Sequence, residues 1–199
     1  MRIIAGSLKG RRLKAPTWEG LRPTSDKLRE TLFNVLASRV AGARVLDAFA
    51  GTGALGLEAL SRGAAAVTYV ESDRRAQALI AANVAHCRVG NCCAIIRATV
   101  ARAIRSFATP TGGRSVTAPF DIVLLDPPYD YPPDKILKDV EAVVAPHGVV
   151  VLEHARRQPT PAALGRLVRV REVTSGDSGL SLYEVSEEKS EVSSLKAEV

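Results

Sequence analysis

Between Ala43 and Glu153 five short apolar runs alternate with four helical patterns. Strands separated by helices must run parallel, because each crossover carries the chain back to the same end of the sheet, and the crossovers lay helices on both faces. The runs are Arg44 to Leu46, Ala65 to Val70, Cys93 to Ile96, Phe120 to Leu125 and Val149 to Glu153. The helical patterns are Ala54 to Ser61, Arg74 to Cys87, Val100 to Phe107 and Asp134 to Val144. Val168 to Val173 and Leu180 to Val185 follow with only Ser175-Gly-Asp-Ser-Gly179 between them, which predicts an antiparallel finish. The expected fold is therefore α/β: a doubly wound, mostly parallel, seven-stranded sheet of Rossmann type.

At 199 residues, 46% hydrophobic and 24% charged, the chain is long and apolar enough for one buried core. That composition excludes a disordered tail protein, a collagen-like repeat and a disulfide scaffold. No stretch reaches the length of a membrane span and the first residues lack a signal-peptide core, so a cytoplasmic location without membrane contact is expected. Cys87, Cys92 and Cys93 have no partner cluster at zinc-site spacing, and His86, His147 and His154 are scattered; no metal is expected. No apolar helix face stands out, and a monomer is expected.

The net charge of +6 is unevenly spread. Arg2, Lys9, Arg11, Arg12 and Lys14 give five cations and no acid in the first 14 residues, whereas residues 184–199 hold five Glu and two Lys. A concentrated basic arm favours a polyanion such as nucleic acid. Arg2-Ile-Ile-Ala and the Gly6-to-Lys14 stretch read as two strands around glycine turns, a basic β-hairpin. Thr24 to Val40 carries Leu28, Leu32, Val35 and Leu36 at helical spacing, with Thr24, Ser25 or Asp26 as N-cap. Thr109 to Pro119 is a surface loop. The organisation expected is a basic arm over 1–20, a catalytic domain over 21–185 and an acidic, disordered tail over 186–199.

Asp47-Ala-Phe49-Ala50-Gly51-Thr-Gly53-Ala-Leu-Gly56 joins the first of the five strands to its helix. Glycines there let the backbone approach a ligand, and the following helix offers free amides. Glu71 ends the next strand, 20 residues beyond Gly51, where an acid can accept from both ribose hydroxyls. Asp47 argues against a pyrophosphate-bearing dinucleotide, since its charge suits a ligand whose ammonium and sulfonium want acceptors.

The second motif, Asp126-Pro127-Pro128-Tyr129, directly follows the fourth strand, whose carboxyl end should face the same crevice. Asp126 and a carbonyl of the Pro-Pro turn can accept the two hydrogens of an exocyclic amine while Tyr129 stacks on its ring. That arrangement aims the nitrogen lone pair at an electrophile and catalyses by positioning.

These residues resemble a class I S-adenosylmethionine-dependent methyltransferase, and more closely the RsmD family of 16S ribosomal RNA guanine-N2 methyltransferases. The likeness is carried by Arg2-Ile-Ile-Ala-Gly-Ser-Leu-Lys-Gly-Arg11, Leu21-Arg-Pro-Thr24, Arg29-Glu-Thr-Leu-Phe-Asn34, the stretch Asp47 to Ser61, and Asp126 to Tyr129. The resemblance implies S-adenosylmethionine as cofactor, 16S rRNA within an assembling 30S particle as partner, and one guanine N2 as methyl acceptor. It implies that Asp47, Phe49, Ala50, Gly51, Gly53, Gly56 and Glu71 hold the cofactor, with Thr24 lying against it. It also implies that Arg2, Lys9, Arg11, Arg12 and Lys14 grip RNA. Where such proteins often carry an acid or amide for the adenine, this chain has Arg97-Ala-Thr99; Thr99 either reads the adenine or caps the following helix. The alternatives are a DNA-adenine amino-methylase, for which the chain spares no recognition domain, a non-catalytic RNA-binding assembly factor, and an NAD-dependent oxidoreductase.

Overall fold

The structure is a computed structural model that describes residues 1–18, 25–108, 119–128 and 130–186. In chain order the elements are α1 (Asp26–Val35), α2 (Ala37–Val40), β1 (Arg44–Ala48), α3 (Ala54–Ser61), β2 (Ala66–Glu71), α4 (Arg74–Cys87) and β3 (Cys93–Arg97). Then come α5 (Val100–Ala108), β4 (Phe120–Leu125), α6 (Pro133–Val140), β5 (Val144–Ala155), β6 (Ala163–Leu164), β7 (Leu167–Ser175) and β8 (Ser178–Val185).

One sheet holds all the strands in the order β3-β2-β1-β4-β5-β8-β7-β6, parallel from β3 to β5 and antiparallel beyond. The order reverses at β1, and the carboxyl ends of β1, β2 and β4 meet there, as a doubly wound sheet requires of a ligand crevice. Alternate residues of each strand feed two cores. Val45, Val67, Tyr69, Ile122 and Leu124 pack with α1, α3 and α4 on one face. Leu46, Val70, Val123 and Leu125 pack with α5 and α6 on the other. This two-sided burial explains why the central strands read as continuous apolar runs. Among the described residues no helix is long and apolar enough to cross a membrane.

Three expectations need correcting. Among the described residues the sheet has eight strands, not seven, because Ala163–Leu164 adds a two-residue strand at the edge of β7. So short an element leaves no periodicity to read. The helix expected from Thr24 to Val40 is interrupted at the fully buried Leu36, and Ser25 is the N-cap, its Oγ accepting from the Leu28 amide at 3.1 Å.

The basic arm, third, forms no regular strands but still pairs with itself: Arg2 and Arg12 meet in one isolated antiparallel bridge, flanked by bonds from the Ile3 amide to Arg11 O at 3.0 Å and from the Leu13 amide to Met1 O at 3.2 Å. Other amides of the arm turn to α3. Ile4 and Ala5 donate to the Glu58 carboxylate at 2.8 and 3.0 Å, and Leu8 donates to Ser61 Oγ at 2.9 Å. Ile3 and Leu13 are buried in the same core as α3 and α4, so the arm is stitched to the sheet's helical layer along much of its length.

Candidate active site

The glycine turn is built on left-handed backbone. Gly51 and Gly53 have φ of +54° and +76°, and Phe49, with a Cβ to accommodate, sits at +65°. A bulky residue in that region is strained, and such strain collects where a loop must hold one shape for a ligand. Gly56 serves packing instead. A Cβ there would lie 2.3 Å from the Tyr69 ring and 2.7 Å from Val67, so only glycine lets α3 settle on β2.

Asp47 lies beneath this turn. Its side chain is 1% exposed, and Oδ2 accepts from the Gly56 amide at 2.9 Å, tying the end of β1 to the first turn of α3. Burial pushes its carboxyl up to about 8; the Gly56 amide opposes that, and Asp126 and Glu71 reinforce it. The carboxylates from β1, β2 and β4 are thus electrostatically coupled in one crevice.

Glu71 is half-buried, with Oε2 accepting from the Gly51 amide at 3.0 Å and Oε1 from the Asp73 amide at 2.8 Å. Each carboxylate oxygen has a second lone pair, so the group holds the turn and can still receive hydroxyl donors. Asp126 follows β4 directly and is half-buried, while Pro127 is buried and Pro128 exposed. Since Asp47 is paired with Leu124 across β1 and β4, Asp126 stands two positions beyond it, at the mouth of the crevice.

The two motifs touch through aromatic rings. Phe49 from the glycine turn meets Tyr131 edge-on at 5.7 Å, and Tyr131 closes the turn after the prolines by donating its amide to the Pro128 carbonyl at 2.8 Å. Ala50 is buried, its amide donating to Val70 O at 3.1 Å. Thr99 is exposed at the end of β3, directly before α5, and its carbonyl receives the Ala103 amide. Tyr129 and Thr24 lie outside the described residues.

Acids that repel one another favour a cationic ligand, and glycines held in left-handed backbone let a ligand approach closely. The crevice therefore fits a cationic nucleoside: Glu71 would take its hydroxyls, Gly51 and Gly53 its flank, and Asp47 with Asp126 its charge. A hollow of about 290 Å³ lies at the opposite, amino-terminal edge of the strands, lined by Arg44, Val67, Thr68, Cys92, Cys93 and Phe120. It holds no carboxylate among the described residues, and nothing in it competes with the crevice as a site for this chemistry.

Arg2, Lys9, Arg12 and Lys14 are exposed, whereas Arg11 is partly buried and donates from Nη1 to His86 O at 3.0 Å, at the carboxyl end of α4. The distribution of charge alone does not reveal what holds the arm. Glu58, fully buried, bonds the amides of Ile4 and Ala5, accepts from Arg62 Nε at 2.8 Å and lies 3.9 Å from Arg29. Arg29, also fully buried, donates to Arg2 O and Asp26; burial lowers its pKa, and Asp26 and Glu58 pull it back up. A Glu on an otherwise apolar helix, Ala54-Leu-Gly-Leu-Glu-Ala-Leu-Ser61, was the signal available.

The family model described as conserved hypothetical protein 95 matches residues 1–184. The chain belongs to this family. It is the RsmD family that the motifs resemble. A putative rRNA methyltransferase of Bacillus subtilis, YlbH, is 36% identical over 186 residues, covering 92% of this chain and 98% of its own. Ribosomal RNA small subunit methyltransferase D of Escherichia coli K12 is 46% identical over 129 residues, which is 65% of this chain and 60% of that relative. Among solved structures, the putative methyltransferase yhhF of Escherichia coli is 34% identical and covers 94% of this chain and 98% of its own, with a TM-score of 0.73.

Proposed function

We propose that this RsmD-family chain is an S-adenosylmethionine-dependent methyltransferase of small-subunit ribosomal RNA, acting on the exocyclic N2 amine of one guanine. The observation that carries the reading is Asp126, set after β4 at the mouth of a crevice whose floor is the Asp47–Gly56 turn. Family membership and relatives named as ribosomal RNA methyltransferases support the substrate class.

S-adenosylmethionine supplies, when bound, a methyl group on a positively charged sulfur. The chain's own residues do the rest by placement. Glu71 accepts the ribose hydroxyls, and the Asp47 carboxyl beneath the turn favours the cationic end. Asp126 and the carbonyl of Pro127 accept the two amine hydrogens, and Tyr129 stacks on the extruded base. Guanine N2 is a poor nucleophile because its lone pair is delocalised into the ring. An acceptor at Asp126 favours the pyramidal nitrogen that gains positive charge as the new bond forms, and the surplus proton then leaves to solvent. The exposed cations of the arm, Arg2, Lys9, Arg12 and Lys14, supply sequence-independent grip on phosphates.

The test offers labelled S-adenosylmethionine with naked rRNA, with 30S particles lacking the modification, and with duplex DNA. Incorporation into RNA is expected. Transfer to DNA alone would replace this reading with a DNA amino-methylase.

A further inference from the structure

The two ends of the arm reach the glycine turn, Met1 through Thr52 and Lys14 through Asn83, but the tip that carries Lys9 stands away from the crevice. That tip lies against Ser61, at the end of α3 farther from the crevice: Ser7 donates to Ser61 O at 2.7 Å and Leu8 to Ser61 Oγ at 2.9 Å. An amine presented to Asp126 needs its own nucleotide held at the crevice mouth, where a misplacement of about 1 Å can cost roughly a hundredfold in rate.

Such a hold stands on the neighbouring strand. Leu125 of β4 is in register with Leu152 of β5, so Asp126 is level with Glu153. The chain turns over Ala155 to Gln158, with the Gln158 amide donating to Ala155 O at 2.8 Å. This turn begins two residues beyond Glu153, about 7 Å further out, on a strand about 4.8 Å away from β4. Its two central residues are Arg156 and Arg157, both exposed and neither in an ion pair among the described residues.

The segment that carries them is fastened throughout. The Arg156 amide donates to Asp177 O at 2.8 Å, in the turn between β7 and β8. Thr160 Oγ1 hydrogen-bonds Ser181 Oγ at 2.9 Å, and Ser181 Oγ in turn meets the buried His154 Nε2 at 3.0 Å. Arg169 Nη1 donates to Thr160 O at 3.0 Å and its amide to Ala162 O at 2.8 Å, while Tyr183 Oη donates to Pro161 O at 2.9 Å. A connection held by so many bonds while presenting two exposed guanidinium groups is a rigid platform for anions, the arrangement that accurate placement of a phosphate needs.

We infer that Arg156 and Arg157 form a second RNA-binding site, which takes the phosphates flanking the target nucleotide and fixes the base over Asp126. Guanidinium suits this task because its planar fork pairs with two phosphate oxygens at once. The crevice thereby divides its charges: acids at the floor for a cationic cofactor, arginines on the rim for the polyanion. The inference rests on the proposed reading of the chain as an RNA methyltransferase and deepens it.

The test uses the full chain, naked small-subunit rRNA and the variants R156A/R157A and R156K/R157K. RNA affinity is measured by fluorescence anisotropy from 50 to 200 mM salt, separately from methyl transfer. The alanine pair should bind RNA about tenfold more weakly, with the slope of log affinity against log salt reduced by about 1.4, roughly 0.7 for each single-strand phosphate that is no longer neutralised. KM for RNA should rise and kcat should fall while cofactor affinity holds, and the lysine pair should recover most of the slope. An alanine pair with wild-type slope and KM overturns the inference, as does a reduced slope that the lysine pair fails to restore. A wild-type chain that binds RNA through these arginines yet methylates none contradicts the enzymatic reading instead.

Discussion

The Phe49 and Tyr131 rings meet edge-on at 5.7 Å, with planes inclined at 68°, and so couple the glycine turn after β1 to the segment that follows Asp126-Pro127-Pro128. Phe49 holds this position at a φ of +65°, where a Cβ costs on the order of 1–2 kcal/mol. Replacement by glycine relieves that cost and replacement by alanine keeps it. Phe49→Gly should therefore destabilise the fold less than Phe49→Ala, by about 1 kcal/mol in urea unfolding, reversing the usual order of the two residues. Both variants should lose catalytic efficiency, because both lose the ring. Equal unfolding midpoints for the two would show that the backbone there carries no strain.

Glu58 is the joint between the arm and the sheet. Glu58→Ala leaves Arg29 with Asp26, at 2.8 Å, as its acidic partner and frees the Ile4 and Ala5 amides. Breaking a buried ion pair from one side costs about 3–5 kcal/mol. The variant should unfold at markedly lower urea and be cut by protease within residues 1–14 before the rest of the chain. Cleavage at the wild-type rate would mean that Ile3, Leu13 and the bonds to Ser61 hold the arm without Glu58.

Arg11 and Arg12 are neighbours with different work. Arg11 holds the carboxyl end of α4 through His86 O, where a cation is favoured by about 0.3–1 kcal/mol, and Arg12 is exposed. Arg11→Glu should lower thermal stability, whereas Arg12→Glu should weaken RNA binding and leave the melting temperature within a degree. A matched loss of stability in both would return the arm to a purely structural role.

Asp47 gives the fold a pH signature. An aspartate ionises near 4 in the unfolded chain and at about 8 in this fold, so the unfolded state sheds its proton first as pH rises. The contribution of Asp47 is fully present below about pH 4 and is lost as pH climbs to about 8. Asp47→Asn should flatten that slope. A cation in the crevice favours the ionised form, so cofactor binding should release a proton near neutral pH and tighten as pH approaches 8. Calorimetry in buffers of different ionisation enthalpy reads this directly, and an absence of buffer dependence would show that Asp47 is not coupled to the ligand.

What the sequence disclosed follows from where the information is local. The parallel sheet was legible because Val45, Val67 and Val123 belong to strands buried on both faces, and the crevice because Gly51, Gly53 and Glu71 keep a spacing set by one βαβ unit. The arm's attachment was hidden, since the amides of Ile4, Ala5 and Leu8 pair with Glu58 and Ser61 more than 50 residues away and no local pattern records that choice. Strand β6 was missed because two residues have no period. The platform under Arg156 and Arg157 is likewise long-range, as Thr160 meets Ser181 and Tyr183 reaches Pro161 only after the sheet has closed.

The central claim is that Asp126 positions an RNA amine for methyl transfer. The most direct measurement is incorporation of label from S-adenosylmethionine into small-subunit rRNA by wild type and Asp126→Ala, with cofactor affinity followed alongside. Incorporation should fall by at least a hundredfold while cofactor affinity stays within a few-fold. Unchanged incorporation in the variant would contradict the account.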